Sequence, residues 1–407
     1  APKEGEGYHG TIWGPASARV WPLLHGMEER EKERTGLERK TGVDFLRMFL
    51  MFLVPILHIL GNGGGLANTP WMSSQYLAGW LLETVALCAV DCFALISGYV
   101  GSTAKFRWSR VGNLWLGIVF YTLLLTALFA VWMPEVVSKR TWFGAIFPIT
   151  SNQYWFMTAY VGMFFFIPLM NLVLEKASKR MLTEFLVAVL VVFSFLPCLF
   201  TILLQDSPYG LHRGYSMVWL IMLYLVGGYL RKYEIPQKLS RKKAVVVFCI
   251  STLLAWLSKV VIEWGTNRML GYPAGGTSFV SYVSPFIVIN AVALLCFFAR
   301  TEFRSKALRK GIAVLSPAAL GVYIIHVHPL VWNYVLRDCL TFAAAYPVWR
   351  MLLWVVALAF GIYLICSLID VVRIRLFQAI GVPALCRKLD GWIAGIHRES
   401  PLPPEEK

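Results

Sequence analysis

Residues 42–61 read GVDFLRMFLMFLVPILHILG. As a helix this run rises about 30 Å, enough to cross the hydrocarbon of a bilayer. It is not wholly apolar: Arg47 and His58 stand eleven positions apart. At 3.6 residues per turn they lie within roughly 20° of each other on one face, ~16 Å apart along the axis, with Asp44 near the same stripe. Ionisable groups inside a span are costly, which makes them candidate functional groups facing a polar interior. The bland alternative has Asp44 and Arg47 snorkelling to headgroups and His58 bonding a neighbouring helix. Pro55 removes one backbone hydrogen bond between them and predicts a bend.

The rest of the chain has the same character. Of 407 residues 57% are hydrophobic and 15% charged, with a mean hydropathy of +0.61, which excludes an ordinary soluble globule. The formal net charge of +15 would suit a nucleic-acid partner, but it is concentrated in short loops between apolar runs, so no nucleic acid is expected. The eight cysteines show no CxxC spacing and read as small buried hydrophobes.

Ten spans are predicted: 43–60, 76–100, 111–133, 154–174, 182–204, 215–230, 244–264, 279–299, 313–335 and 350–376. The fold class is therefore an all-α polytopic membrane protein, a single bundle of about ten transmembrane helices over 41–377. A polar segment precedes it over 1–40, without the apolar core of a signal peptide, and a tail follows over 378–407. Loops after even spans carry seventeen Lys and Arg, loops after odd spans six, which places both termini in the cytoplasm. Trp71, Trp142, Tyr154, Trp155, Trp264, Trp332 and Trp349 near span ends read as interfacial belts, and 382–396 as a short helix on the inner leaflet.

This orientation sets Arg47 about one turn inside the cytoplasmic face and His58 near the outer end. The second span runs back inward through Glu83, Asp91 and Ser97-Gly98-Tyr99. By depth, Glu83 is a candidate partner for His58, and Ser97-Gly98-Tyr99 for Arg47. Lys259 and Glu263, at i and i+4, read as a local pair. Tyr323, His326 and His328 lie near the depth of His58; three histidines there raise zinc, but His326 and His328 diverge on a helix, and no metal is expected. Gly61-Asn62-Gly63-Gly64-Gly65 lacks the Lys-Ser/Thr that completes a phosphate loop and reads as a turn.

Four stretches together resemble the acyltransferase-3 family of integral membrane O-acyltransferases. They are Arg47 and His58 after Asp44-Phe45-Leu46; Asp91 to Tyr99 followed by Lys105, Arg107 and Arg110; Tyr154-Trp155-Phe156 with Ile167-Pro168-Leu169; and Gly321-Val322-Tyr323-Ile324-Ile325-His326. Their order spans roughly 41–375. The resemblance implies transfer of an acyl group, usually acetyl, from cytoplasmic acyl-CoA to a hydroxyl on a glycan or other envelope acceptor, in a bacterial cytoplasmic membrane. It maps the family's essential pair onto His58 and Arg47. The basic segment after Tyr99 is shorter than the family pattern.

On this reading His58 is general base or acyl carrier, with Arg47, and with Glu83 or His326 orienting the imidazole. Arg47, Ser97, Gly98, Tyr99, Lys105, Arg107 and Arg110 are candidates for acyl-CoA, since phosphates favour Arg and Lys donors. A rival class is a transporter or flippase, in which Asp91, Arg47 and the histidines form a substrate or proton path; a membrane sensor is a third.

Overall fold

The structure, a computed structural model, describes residues 41–104, 106–204 and 208–399. Residues 1–40, Lys105 and 400–407, on which parts of the expected leader, donor site and tail fall, lie outside the described residues. The principal helices are α1 (Thr41–Leu60), α2 (Ser74–Gly101), α3 (Trp108–Trp132), α4 (Lys139–Ile146), α5 (Trp155–Lys176), α6 (Lys179–Leu190), α7 (Leu196–Leu204), α8 (Met217–Lys232), α9 (Arg241–Leu270), α10 (Pro285–Phe298), α11 (Lys306–Leu315), α12 (Ala319–His326), α13 (Val348–Ala379) and α14 (Val382–Glu399). Serine side chains at positions 73, 178, 216, 240 and 305 accept from the third residue of the helix that follows and so set where α2, α6, α8, α9 and α11 begin.

Each predicted span has a helical counterpart, and among the described residues eight segments are long and apolar enough to cross a membrane. The other two differ from expectation in length. Helix α8 has 16 residues and α10 has 14. Pro285 starts α10 six residues later than the hydropathy suggested, because 279–284 fold as turns packed inside protein. Irregular backbone is tolerated there because protein groups satisfy it: the Ser194 hydroxyl donates to the Val283 carbonyl. Ser194 itself sits in a π-turn, Val191–Phe195, that interrupts the predicted span 182–204. The ninth span begins earlier than expected, at Lys306, and its helix stops at His326. Helix α1 runs through Pro55 without interruption.

Burial sorts the helices into a centre and a ring. In their most apolar windows α1 and α2 are 67% buried, against 22% for α9 and 28% for α13. The outer helices accordingly show rows of exposed apolar side chains such as Ile250, Leu253, Leu257 and Val261, or Phe360, Leu364, Ile365 and Leu368, the surface a lipid environment requires. Small residues allow the central contact. A Cβ at Gly98 would lie 1.9 Å from the Tyr224 carbonyl oxygen, and one at Gly227 2.1 Å from that of Leu95. Backbones of α2 and α8 thus meet directly.

The tail helix α14 docks on α3. Arg107, before α3, makes no side-chain cap, and the Asp390 carboxylate takes the role by accepting from Ser109 N (2.9 Å) and Ser109 Oγ (2.6 Å). Desolvation works against its charge, yet these bonds and the nearby Arg107 hold the Asp390 carboxyl below the usual carboxylate range.

Gly98→Ala is expected to lower the melting temperature of the detergent-solubilised protein sharply, since neither backbone can give way; overpacking typically costs about 1–3 kcal/mol or more. Gly361→Ala, where an added Cβ meets nothing within 4 Å, should leave it unchanged. Equal melting of the two variants would contradict the close α2–α8 contact.

Candidate functional site

The stretch that opened the sequence builds the site. In α1, Arg47 Nη1 pairs with Asp44 Oδ1 at 2.6 Å, and its side chain keeps 31% exposure. Three turns on, His58 Nδ1 lies 2.8 Å from His326 Nε2, and its ring meets Trp332 edge-to-face at 4.8 Å. Although most of α1 is buried, His58 remains partly accessible. Of the two candidates for orienting it, His326 is the one bonded to it. No hydrogen bond among the described residues joins Glu83 to His58.

The bonding around His326 fixes protons. Its Nδ1 bonds the Val322 carbonyl, which can only accept, so Nδ1 carries a hydrogen. In neutral His326 the Nε2 lone pair is then the acceptor, and His58 Nδ1 must be the donor. Neutral His58 is left with a bare lone pair on Nε2. A backbone carbonyl of α12 thereby selects, through one imidazole, the tautomer of another.

Tyr154 holds helix α12 in place by two contacts. Tyr154 Oη donates to the Ile324 carbonyl at 3.2 Å, and the Tyr154 ring lies 6.1 Å from that of Tyr323. Tyr154 is fully buried, so it is not the interfacial belt residue its place near a span end suggested. His328 lies past the helix end, where its Nδ1 accepts from Leu330 N. Among the described residues no three His, Cys, Asp or Glu side chains gather as a metal site.

From the opposite end a line of rings leads to the histidines. Ser97 Oγ is 3.1 Å from Tyr160 Oη; Tyr160 stacks on Phe156 at 5.7 Å, Phe156 is 6.0 Å from Tyr323, and Tyr323 is 6.2 Å from His326. Ser97, Phe93, Phe156 and Tyr160 are all partly accessible, although α2 is central. Sequence reasoning passed over Tyr160; its i, i+4 spacing from Phe156 was the available signal. Of the other donor candidates, Gly98 and Tyr99 are buried against α8, with the Arg231 guanidinium 5.4 Å from the Tyr99 ring centre, and Arg107 and Arg110 are exposed at the start of α3. Ser97-Gly98-Tyr99 therefore packs on α5 and α8. Asp91 is wholly buried, its Oδ1 accepting from the Trp219 indole at 3.1 Å. Lys259 and Glu263 form the expected pair, buried, with Lys259 Nζ 3.7 Å from the Trp80 ring centre.

The sequence profile of the acyltransferase-3 family, described as an acyltransferase domain, matches residues 40–371. The chain belongs to the acyltransferase-3 family. No curated protein and no solved structure matches it. The family match encloses every residue of the site, from Asp44 in α1 to Trp332 beside His58, and leaves out α14, the helix that caps α3.

The tautomer assignment has a direct test. In ¹⁵N-histidine-labelled protein at neutral pH, His58 should show a protonated Nδ1 and an unprotonated Nε2. His326→Phe, which keeps a ring but removes the acceptor, should erase that preference; an unchanged His58 signature would contradict the relay.

Proposed function

We propose that this acyltransferase-3 protein moves an acyl group, most simply acetyl, from acyl-CoA on the cytoplasmic side to a hydroxyl of a glycan or other envelope acceptor on the opposite side of a bacterial cytoplasmic membrane. The observation that carries the reading is the carbonyl–His326–His58 relay, which leaves a proton-accepting Nε2 at the end of the bundle away from Arg107 and Arg110. Exposed Arg107 and Arg110, with Arg47, suit the phosphates of the donor. The ring-lined path from Ser97 to Tyr323 suits its slender pantetheine arm, and supports an approach between α2 and α5 rather than along α1 alone.

Chemistry then follows from the lone pair. His58 Nε2 takes the proton of the acceptor hydroxyl as that oxygen attacks the thioester carbonyl. The tetrahedral adduct collapses, the C–S bond breaks, and the proton passes from His58 to the departing thiolate, leaving an ester and CoA thiol. The bare Nε2 is equally suited to attack the thioester itself, forming an acyl-histidine that the acceptor then resolves.

Two measurements test this reading. His58→Ala should reduce acyl transfer about a hundredfold or more while acyl-CoA binding persists, the usual size of a lost general base; undiminished turnover would refute the role. Sidedness comes second: with exposed Cys249 replaced by serine, cysteine at Ala67 should react with impermeant reagent only from outside, and at Arg107 only from inside. In vesicles of that orientation, acyl-CoA within the Arg107 compartment should acylate an impermeant acceptor in the other. Transfer only when both share one compartment would overturn the trans-bilayer scheme.

A further inference from the structure

The glycine-rich run after α1, which reads in sequence as no more than a turn, is built onto His58. Gly63 N donates to the His58 carbonyl at 2.9 Å. A Cβ at Gly63 would lie 2.4 Å from the Ile59 carbonyl oxygen, and Gly64 has a left-handed φ of +82°, so the chain reverses this tightly only without side chains there. Reversed in this way, residues 62 and 63 run beside the segment that follows α12. Asp338 N donates to the Asn62 carbonyl at 3.0 Å, and Leu340 N to the Gly63 carbonyl at 2.8 Å. A side chain makes the third bond: Asn62 Nδ2 donates to the Trp332 carbonyl at 2.9 Å.

That carbonyl has a second partner. Trp332 begins a π-turn, Trp332–Leu336, and Arg337 N also donates to its carbonyl, at 3.1 Å. A carbonyl oxygen offers two lone pairs, so the backbone of Trp332 is tied at once to its own turn and to the loop after α1. Single π-turns are frequent at functional sites. The side chain held in this way is the ring that meets His58 edge-to-face at 4.8 Å. Its place near a span end suggested an interfacial anchor, but the indole packs on the imidazole.

One hydrogen bond cannot fix a ring. The 2.8 Å contact with His326 anchors Nδ1 of His58 but leaves the imidazole free to rock about that point. A second contact from another direction removes this freedom, and with it the spread of directions in which the Nε2 lone pair points. Catalytic groups need such precision, since misplacement by ~1 Å can cost about a hundredfold in rate. We propose that Trp332 and Asn62 are positioning residues for His58: Trp332 fixes the plane of the imidazole that His326 anchors at one atom, and Asn62 acts through Trp332 by holding its carbonyl. The consequence for rate rests on the acyl-transfer reading; the contact itself does not. If the three bonds served only to fasten the loop, Asn62 would matter for stability and not for the orientation of His58.

The test is a double-substitution series in the full-length, detergent-solubilised protein. It is read by acetyl-CoA turnover with water as acceptor, and by the carbon-bound ring protons of His58 in ¹³C-histidine-labelled protein, which feel the ring current of the indole. Trp332→Ala should lower kcat roughly tenfold or more, with the KM for acetyl-CoA unchanged, and should shift the His58 ring protons. Trp332→Phe, which keeps an aromatic ring at that place, should recover most of both. Asn62→Asp has the shape of asparagine but no N–H to donate, and should lower kcat several-fold while shifting the same protons in the same direction. Added to Trp332→Ala, Asn62→Asp should cost nothing further, because a residue that acts through the indole has no effect once the indole is gone. Asn333→Ala, whose amide bonds the Pro329 carbonyl in its own turn, should leave both readouts unchanged. Full additivity of the two substitutions, or His58 ring protons unmoved in either single variant, would overturn the proposal. Absence of acetyl-CoA turnover in the unmodified protein would undo the acyl-transfer reading, and the ring protons would still decide whether Asn62 and Trp332 orient His58.

Discussion

A carboxylate with no exposure at all, Asp370, sits where three helices meet. Its oxygens take the Tyr121 hydroxyl of α3 at 2.8 Å and the Arg373 guanidinium of its own α13 at 2.8 and 2.9 Å. On the remaining side α12 comes so near that a Cβ at Gly321 would lie 2.2 Å from the Asp370 carboxyl carbon. A buried charge is tolerable only when its partners are complete, and breaking such a pair typically costs about 3–5 kcal/mol. Asp370 is therefore a fixed point, and α12 has little freedom of position against it. Val322 follows Gly321 in that helix, and the carbonyl of Val322 sets the proton on His326. The geometry of His58 is thus inherited from an ion pair on a helix that never touches it through that pair.

The same dependence explains what was legible in the sequence. Periodicity alone put Arg47 and His58 on one face of α1, because both belong to one regular helix. The positions of the apolar helices followed from hydropathy for the same local reason, although among the described residues eight, not ten, are long and apolar enough to cross a membrane. The partner of His58 did not: depth offered Glu83 and His326 alike, and the choice depends on how α12 packs between α1 and α13, a contact between residues 268 positions apart. Span ends were misjudged where polar residues inside the bundle satisfy non-helical backbone, as Ser194 does for Val283. Tyr154 read as a belt residue because proximity to a span end looks alike in sequence whether the ring faces lipid or the bundle interior.

Family membership and residue chemistry contribute different parts of the picture. The resemblance joined four stretches without saying how they meet. In the fold, Tyr154 and Phe156 of the third stretch hold Tyr323 of the fourth, His326 of the fourth holds His58 of the first, and Ser97 of the second meets Tyr160, five residues beyond Trp155. Motifs that are individually weak in sequence are therefore successive contacts of one packed line of side chains. That gives a physical reason for their joint occurrence: each supplies a surface the next must fit.

The two ends of the bundle differ in what packs there. Toward Arg107 and Arg110 the Gly98–Tyr224 contact brings the backbones of α2 and α8 together. At the other end the rings of Trp155, Tyr215 and Tyr282 lie against one another, with centres 4.4, 5.0 and 5.8 Å apart. Phe156 touches both Trp155 and Tyr160 and meets Tyr323, the ring beside His326. Packing from the two ends therefore reaches the histidine pair through one ring, and a change at Phe156 acts on His326 and, through it, on His58.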